Sequence, residues 1–241
     1  MDAAGPSPGG YSARWYEAFS DTIAPEQTER ELEFLGRVIP RETFPAVLDL
    51  ACGQGRHAAG LARRGYRVTG VDVNPAAVAA ASSRAPGVTC LLLDMRELGS
   101  LPGPFDAVIS LWQSFGFFDE ETNQQVLERI AGILRPEGRF VIDLYHRTFF
   151  ERHQGSRPIQ RSGAAIIAQH EARDGRLEVT IHYGAGAPPD RFEWQIFTPE
   201  ALRDAAARAG LDLVLACRDF DERLPPDPES ARMQCVFARR T

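Results

Sequence analysis

The chain has 241 residues, 44% of them hydrophobic, which suits one domain with an insertion better than two separate domains. A formal charge of −6 lacks the basic field that a nucleic-acid partner calls for. All 27 basic residues are arginine, so chemistries that require a lysine, from Schiff bases to the P-loop phosphate clamp, are excluded.

Residues 1–10 are rich in Gly, Pro and Ala and predict a mobile start. The segment has neither a basic start nor an apolar run, and no stretch of the chain reaches the length of a membrane span. Cys52, Cys90, Cys217 and Cys235 are widely separated without a C-x-x-C pair, so neither a zinc site nor a disulfide framework is expected. A cytoplasmic protein without metal, membrane or nucleic-acid partner is the expectation.

Apolar spacing at Leu32, Phe34, Leu35 and Val38 predicts a helix over 25–38. Strands and helices then alternate. Strands are predicted over 46–50, 67–71, 88–93, 105–111 and 138–144, and helices over 56–64, 75–84 and 122–134. Asn74 caps the second of these helices, with Pro75 at its first position. Short apolar strands alternating with helices imply a mostly parallel, doubly wound sheet covered on both faces. After Tyr145 the pattern changes, and from about Arg157 to Phe197 it alternates at period two. Leu177, Val179, Ile181 and Tyr183 face one way and Arg176, Glu178, Thr180 and His182 the other, with Asp174-Gly175 as a hairpin turn. This predicts an antiparallel insertion of three or four strands over 151–196, serving as a cap or a dimer face. A helix over 199–209 ending at Gly210, and strands over 212–217 and 233–238, complete the chain.

The chemistry concentrates at Val47-Leu48-Asp49-Leu50-Ala51-Cys52-Gly53-Gln54-Gly55-Arg56-His57-Ala58, where a buried strand enters a glycine turn and then a helix. Glycine lets the backbone bend sharply and a ligand approach without a Cβ in the way. G-x-G-x-x-A alone also fits dinucleotide enzymes. Three acids sharpen it. Asp49 stands four residues before Gly53, where a carboxylate repels a pyrophosphate but receives an ammonium group. Asp72 ends the second strand, the place for an acid that accepts ribose hydroxyls. Asp94 ends the third, and with Met95 it suits the amino edge and face of an adenine.

Together these motifs resemble the class I S-adenosylmethionine-dependent methyltransferases. The resemblance covers residues 44–150 and 197–240 and includes Phe105-Asp106-Ala107-Val108-Ile109-Ser110, Ile133-Leu134-Arg135-Pro136-Glu137-Gly138-Arg139 and Thr198-Pro199-Glu200-Ala201-Leu202. Leu111-Trp112-Gln113-Ser114-Phe115-Gly116-Phe117 and the insertion are similar to a small-molecule branch that includes N-methylating enzymes. The family implies an α/β fold with a doubly wound, mostly parallel seven-stranded sheet, formed by residues 25–150 and 197–241. It implies S-adenosyl-L-methionine as cofactor, with Ala51, Gly53, Gly55 and Asp49 around the methionine portion and Asp72 and Val73 at the ribose. Asp94 and Met95 hold adenine, Leu111 completes the wall, and Arg56 pairs with the cofactor carboxylate. Residues 1–24 form a segment or lid, with Tyr16 touching the cofactor.

Trp112, Gln113 and Ser114 after the fourth strand, and Tyr145 and His146 after the fifth, lie where an open parallel sheet binds substrate. His146, with Tyr145 beside it, is the candidate base. The expected reaction is in-line transfer of a methyl group to a small acceptor, an amine or similar polar molecule, by a monomer or homodimer. A nicotinamide-dependent oxidoreductase explains the glycines and Asp72 but leaves Asp49 and Asp94-Met95 without roles. A cofactor-binding protein without catalysis is the third reading.

Overall fold

The computed structural model describes residues 11–20, 22–161, 164–184 and 186–241; the Gly/Pro/Ala-rich start lies outside them. A short turn, α1 (Ala13–Trp15), runs into a π-helical turn, Tyr16–Ser20, and then α2 (Pro25–Val38). The alternating half follows as β1 (Ala46–Leu50), α3 (Arg56–Arg63), β2 (Arg67–Asp72), α4 (Pro75–Arg84), β3 (Thr89–Leu92), β4 (Phe105–Ser110), α5 (Glu120–Ile133) and β5 (Leu134–Tyr145). Next come α6 (Arg147–Arg152), β6 (Gly155–Arg161), β7 (Ala164–Arg173), β8 (Arg176–His182) and β9 (Asp190–Gln195). The chain ends with α7 (Pro199–Arg208), β10 (Leu211–Cys217) and β11 (Arg232–Arg239).

Seven strands form the main sheet in the order β10-β11-β5-β4-β1-β2-β3. β1 to β5 run parallel, and β11 is antiparallel to both neighbours. Both faces are covered, as the continuous apolar strands demand. Leu48 and Leu50 pack with Val126, Leu127 and Ile130 of α5 and Leu202 and Ala206 of α7. Val47 points the other way and packs with Leu32, Phe34 and Leu35 of α2 and Ala58 and Leu61 of α3. The Asn74 side chain caps α4 as expected, accepting the backbone N–H groups of Ala76 and Ala77 at 3.0 and 3.3 Å.

The insertion is a separate four-stranded antiparallel sheet, β6-β7-β8-β9. Asp174 and Gly175 both take positive φ, 51° and 76°, as a two-residue hairpin turn requires. Leu177, Val179 and Ile181 are buried with Trp194, Phe150 of α6 and Ala18. The sequence pattern gives no sign of helix α6, whose Phe149 and Phe150 pack in the core of the insertion. Among the described residues no helix is long and apolar enough to cross a membrane.

Candidate cofactor cleft

The winding direction of the sheet reverses between β1 and β4, which are neighbours. Loops leaving their carboxyl ends diverge there and open a crevice. A cleft occupies it, walled by residues at the ends of β1 to β4 and by the segment from Tyr11 to Ile23. After β1 the backbone turns through three left-handed residues, Ala51 (φ 56°), Gly53 (φ 53°) and Gly55 (φ 74°). At Gly55 a Cβ would stand 2.8 Å from the Ala81 Cβ, so glycine is required by space as well as by φ. Ala51, Gly53 and Arg56 line the cleft, whereas Gly55 acts from behind by letting α3 start against α4.

The three acids converge as expected, and all line the cleft. Asp72 is buried and ties the loop together: its Oδ2 accepts the Gly53 N–H and its Oδ1 the Asn74 N–H, each at 2.8 Å. Both oxygens retain a lone pair for ribose hydroxyls. Burial pushes its carboxyl above the usual range. Asp49 is only 3% exposed, and its Oδ2 has no hydrogen-bond partner. Desolvation pushes this carboxyl up to about 7, with the Ala58 amide and Arg56 working against the shift and Asp72 adding to it. A buried, unpartnered carboxylate oxygen costs free energy until a cation arrives. Asp94 is more exposed and is gripped by Arg96, Nε to Oδ1 at 3.0 Å and Nη2 to Oδ2 at 2.6 Å. Met95 is buried beside it and Val73 is 41% exposed; both line the cleft with Leu111.

Tyr16 lines the opposite wall with Tyr11 and Trp15, and its hydroxyl lies 3.9 Å from where a Cβ would stand on Gly53. The aromatic segment that begins at Tyr11 is fastened to the insertion. Ser12 Oγ and the Tyr183 hydroxyl each donate to Asp190 Oδ2 at 2.6 Å, and the Tyr11 ring sits 5.0 Å from that of Phe192.

Several sequence-based assignments need correction. Arg56 faces the cleft with its Nη1 held inside the protein, donating to Glu31 Oε2 at 2.5 Å and to Thr28 Oγ1 at 2.8 Å, so its charge is already paired with that of Glu31. Gln113 is buried away from the cleft, where its side chain receives the Tyr145 N–H and donates to the Phe115 carbonyl. Ser114 lines the cleft, but its hydroxyl is spent on the Leu111 carbonyl at 2.8 Å. Trp112 does form part of the wall. Tyr145 and His146 are absent from it. Tyr145 packs against Phe150 and Trp194 of the third core. His146 is 4% exposed and occupies the N-cap of α6, its Nδ1 unpartnered.

Two residues invisible to motif reading hold the site. Glu31 of α2 is fully buried and receives hydrogen bonds from Gln27, Arg56, His57 and the Trp112 indole. Burial opposes its charge, but bonding to His57 and the neighbouring Arg56 hold its carboxyl down to about 2. Asp143 of β5, also fully buried, receives Arg232, the Gln234 amide at 2.8 Å and the Trp112 N–H at 2.8 Å.

A doubly wound sheet with an acid-lined cleft at its switch point, one buried carboxylate lacking a cation, defines a Rossmann-like domain for a cationic nucleoside cofactor rather than a dinucleotide. A methyltransferase-domain family model matches residues 47–138. The Bacillus subtilis protein YqeM, named as a methyltransferase, is 32% identical over 78% of this chain and 81% of its own length. A Streptomyces fradiae dTDP-3-amino-3,6-dideoxy-alpha-D-glucopyranose N,N-dimethyltransferase is 28% identical over 76% and 77%. The SAM-bound structure of CalS10, an amino pentose methyltransferase from Micromonospora echinaspora, shares the fold at a TM-score of 0.70, 21% identical over 95% and 98% of the two chains. The chain belongs to the S-adenosylmethionine-dependent methyltransferases, and S-adenosyl-L-methionine is its cofactor.

Proposed function

We propose that the protein N-methylates a small amine, with the aromatic lid and the β6–β9 sheet closing over the reacting groups. The observation that carries this reading is the charge of the cleft. Asp49, Asp72 and Asp94 line it, and its guanidinium, that of Arg56, is already paired with Glu31. A carboxylate or phosphate acceptor would meet no unpaired cation there. An amine gains positive charge as it is methylated, and that charge meets aromatic faces, from Tyr11, Trp15, Tyr16, Trp112 and Phe117.

The cofactor, when bound, supplies an activated methyl on a sulfonium. Asp49 would receive its ammonium group, Asp72 its ribose hydroxyls, and Met95 would pack on its adenine. The remaining task of the chain is alignment and exclusion of water. An amine that arrives unprotonated needs no base. This is consistent with a cleft wall that includes neither Tyr145 nor His146. The β6–β9 sheet fits a cap better than a dimer face: its inner side packs on the lid, and among described residues Ile167 is its single large exposed apolar side chain. The amino-sugar enzyme among the relatives gives the acceptor a class to begin with.

The test is release of S-adenosylhomocysteine with a panel of small amines, amino sugars among them, set against phenols, alcohols and carboxylic acids of matched size. Turnover confined to the amines is expected. Preferential methylation of the carboxylic acids would sink the reading.

A further inference from the structure

The cofactor cleft shares a wall with a second hollow, lined by Phe19, Gln27, Phe220 and Arg232 among others. Ile23 and Trp112 line both spaces. Trp112 is held there by an unusual set of constraints. Its backbone takes φ of +63° and that of Gln113 +58°, two successive left-handed residues without glycine, a costly conformation that persists only where its surroundings enforce it. The Asp143 carboxylate enforces the first by accepting the Trp112 N–H at 2.8 Å, and the Asp143 carbonyl the second by accepting the Gln113 N–H at 3.1 Å. The indole is fixed separately: Nε1 donates to Glu31 Oε1 at 2.8 Å. The guanidiniums of Arg56 and Arg232 lie over the ring at 5.0 and 5.3 Å, and each is bound to one of the same two carboxylates.

Burying two carboxylates is expensive, and neither Glu31 nor Asp143 lines the cofactor cleft. What they have in common is Trp112. We propose that Trp112 is the specificity-determining residue that limits how far the acceptor extends toward the second hollow, and that Glu31 is a positioning residue acting through it. The ring rotamer sets the partition. Glu31 supplies the acceptor for the indole N–H and holds Arg56 against the ring, so the wall keeps one position whether or not ligand is present. The limit on the acceptor rests on methyl transfer to a small amine; the clamp on Trp112 does not.

The experiment uses the full chain labelled with 5-fluorotryptophan, which gives one fluorine resonance for each of the three tryptophans. Trp112→Phe removes one resonance and so assigns it. Glu31→Gln lowers the charge, while Glu31→Asp keeps it and withdraws the carboxylate from the indole. Both are expected to broaden, shift or double the Trp112 resonance and to leave those of Trp15 and Trp194 in place. Trp112→Ala is expected to extend the largest amine methylated, raising kcat/KM for acceptors too bulky for the wild type by about tenfold or more. A Trp112 resonance unmoved in a Glu31 variant with wild-type circular dichroism overturns the clamp. An unchanged size limit in Trp112→Ala overturns the partition. Failure of the whole amine panel with the wild type speaks against the amine reading alone, because the fluorine spectra are read without an acceptor.

Discussion

Asp49 makes cofactor affinity depend on pH in a calculable way. In the free protein burial lifts its carboxyl to about 7, and its Oδ2 has no partner. At pH 6 about nine in ten copies then hold a proton, and at pH 8 about one in ten. An ammonium ligand binds the ionised form, so at pH 6 binding must first expel that proton. The apparent dissociation constant should fall about tenfold from pH 6 to pH 8, or about 1.4 kcal/mol, and level off above. The stability sign runs opposite. A raised folded-state value means that Asp49 helps the ligand-free fold fully in acid and loses that contribution as pH rises through about 7. Bound ligand should therefore raise Tm more at pH 8 than at pH 6. Calorimetric titration with S-adenosylhomocysteine, which keeps the α-amino group, measures the first effect and thermal denaturation the second. Asp49→Asn should bind more weakly at pH 8 and show a flat profile. A flat wild-type profile, or an Asp49→Asn protein that keeps the slope, would refute the assignment of Asp49 to the ammonium.

Replacing Gly55 by Ala forces a Cβ onto the backbone and side chain of Ala81 at positive φ. A loss of about 2–4 kcal/mol and a Tm lower by ~5–15 °C are expected in thermal denaturation. Asp72→Ala should weaken S-adenosylhomocysteine by about 1–3 kcal/mol, measured by the same titration; unchanged affinity would remove Asp72 from the ribose site. His146→Ala should keep turnover within about threefold of wild type, whereas loss of a general base costs a factor of about 10²–10⁴. Asp190→Ala breaks both bonds that fasten Ser12 and Tyr183, and should weaken S-adenosylhomocysteine about threefold to tenfold while speeding proteolysis ahead of Pro25.

Much of this architecture is legible in the chain because its signals are local. The turn from Asp49 to Gly55, the capped helix at Asn74 and the Asp174-Gly175 hairpin each depend on a few adjacent residues, and each is found where expected. The acids ending β1 to β3 converge because the parallel order brings strand ends to one rim. Tyr145 and His146 end β5 at that same rim, yet β11 and α6 wall them off, a tertiary fact with no local trace. Glu31 and Asp143 were missed for the same reason. Each does leave one clue. Glu31 lies four residues before Leu35, on the buried side of α2, and Asp143 interrupts the apolar run from Phe140 to Leu144. An acid inside a core pattern asks where its counter-charge is. Here the answers, Arg56 and Arg232, are 25 and 89 residues away.

The bond from Ser12 to Asp190 spans 178 positions of sequence. It joins a wall of the cofactor cleft to the separate β6–β9 sheet. Anyone transplanting β6–β9 to retarget the enzyme would need to carry residues 11–20 along with it. Moved by itself, the graft would leave Tyr11 and Tyr16 without a dock, and a failure to bind cofactor would be misread as a failure to accept the new substrate.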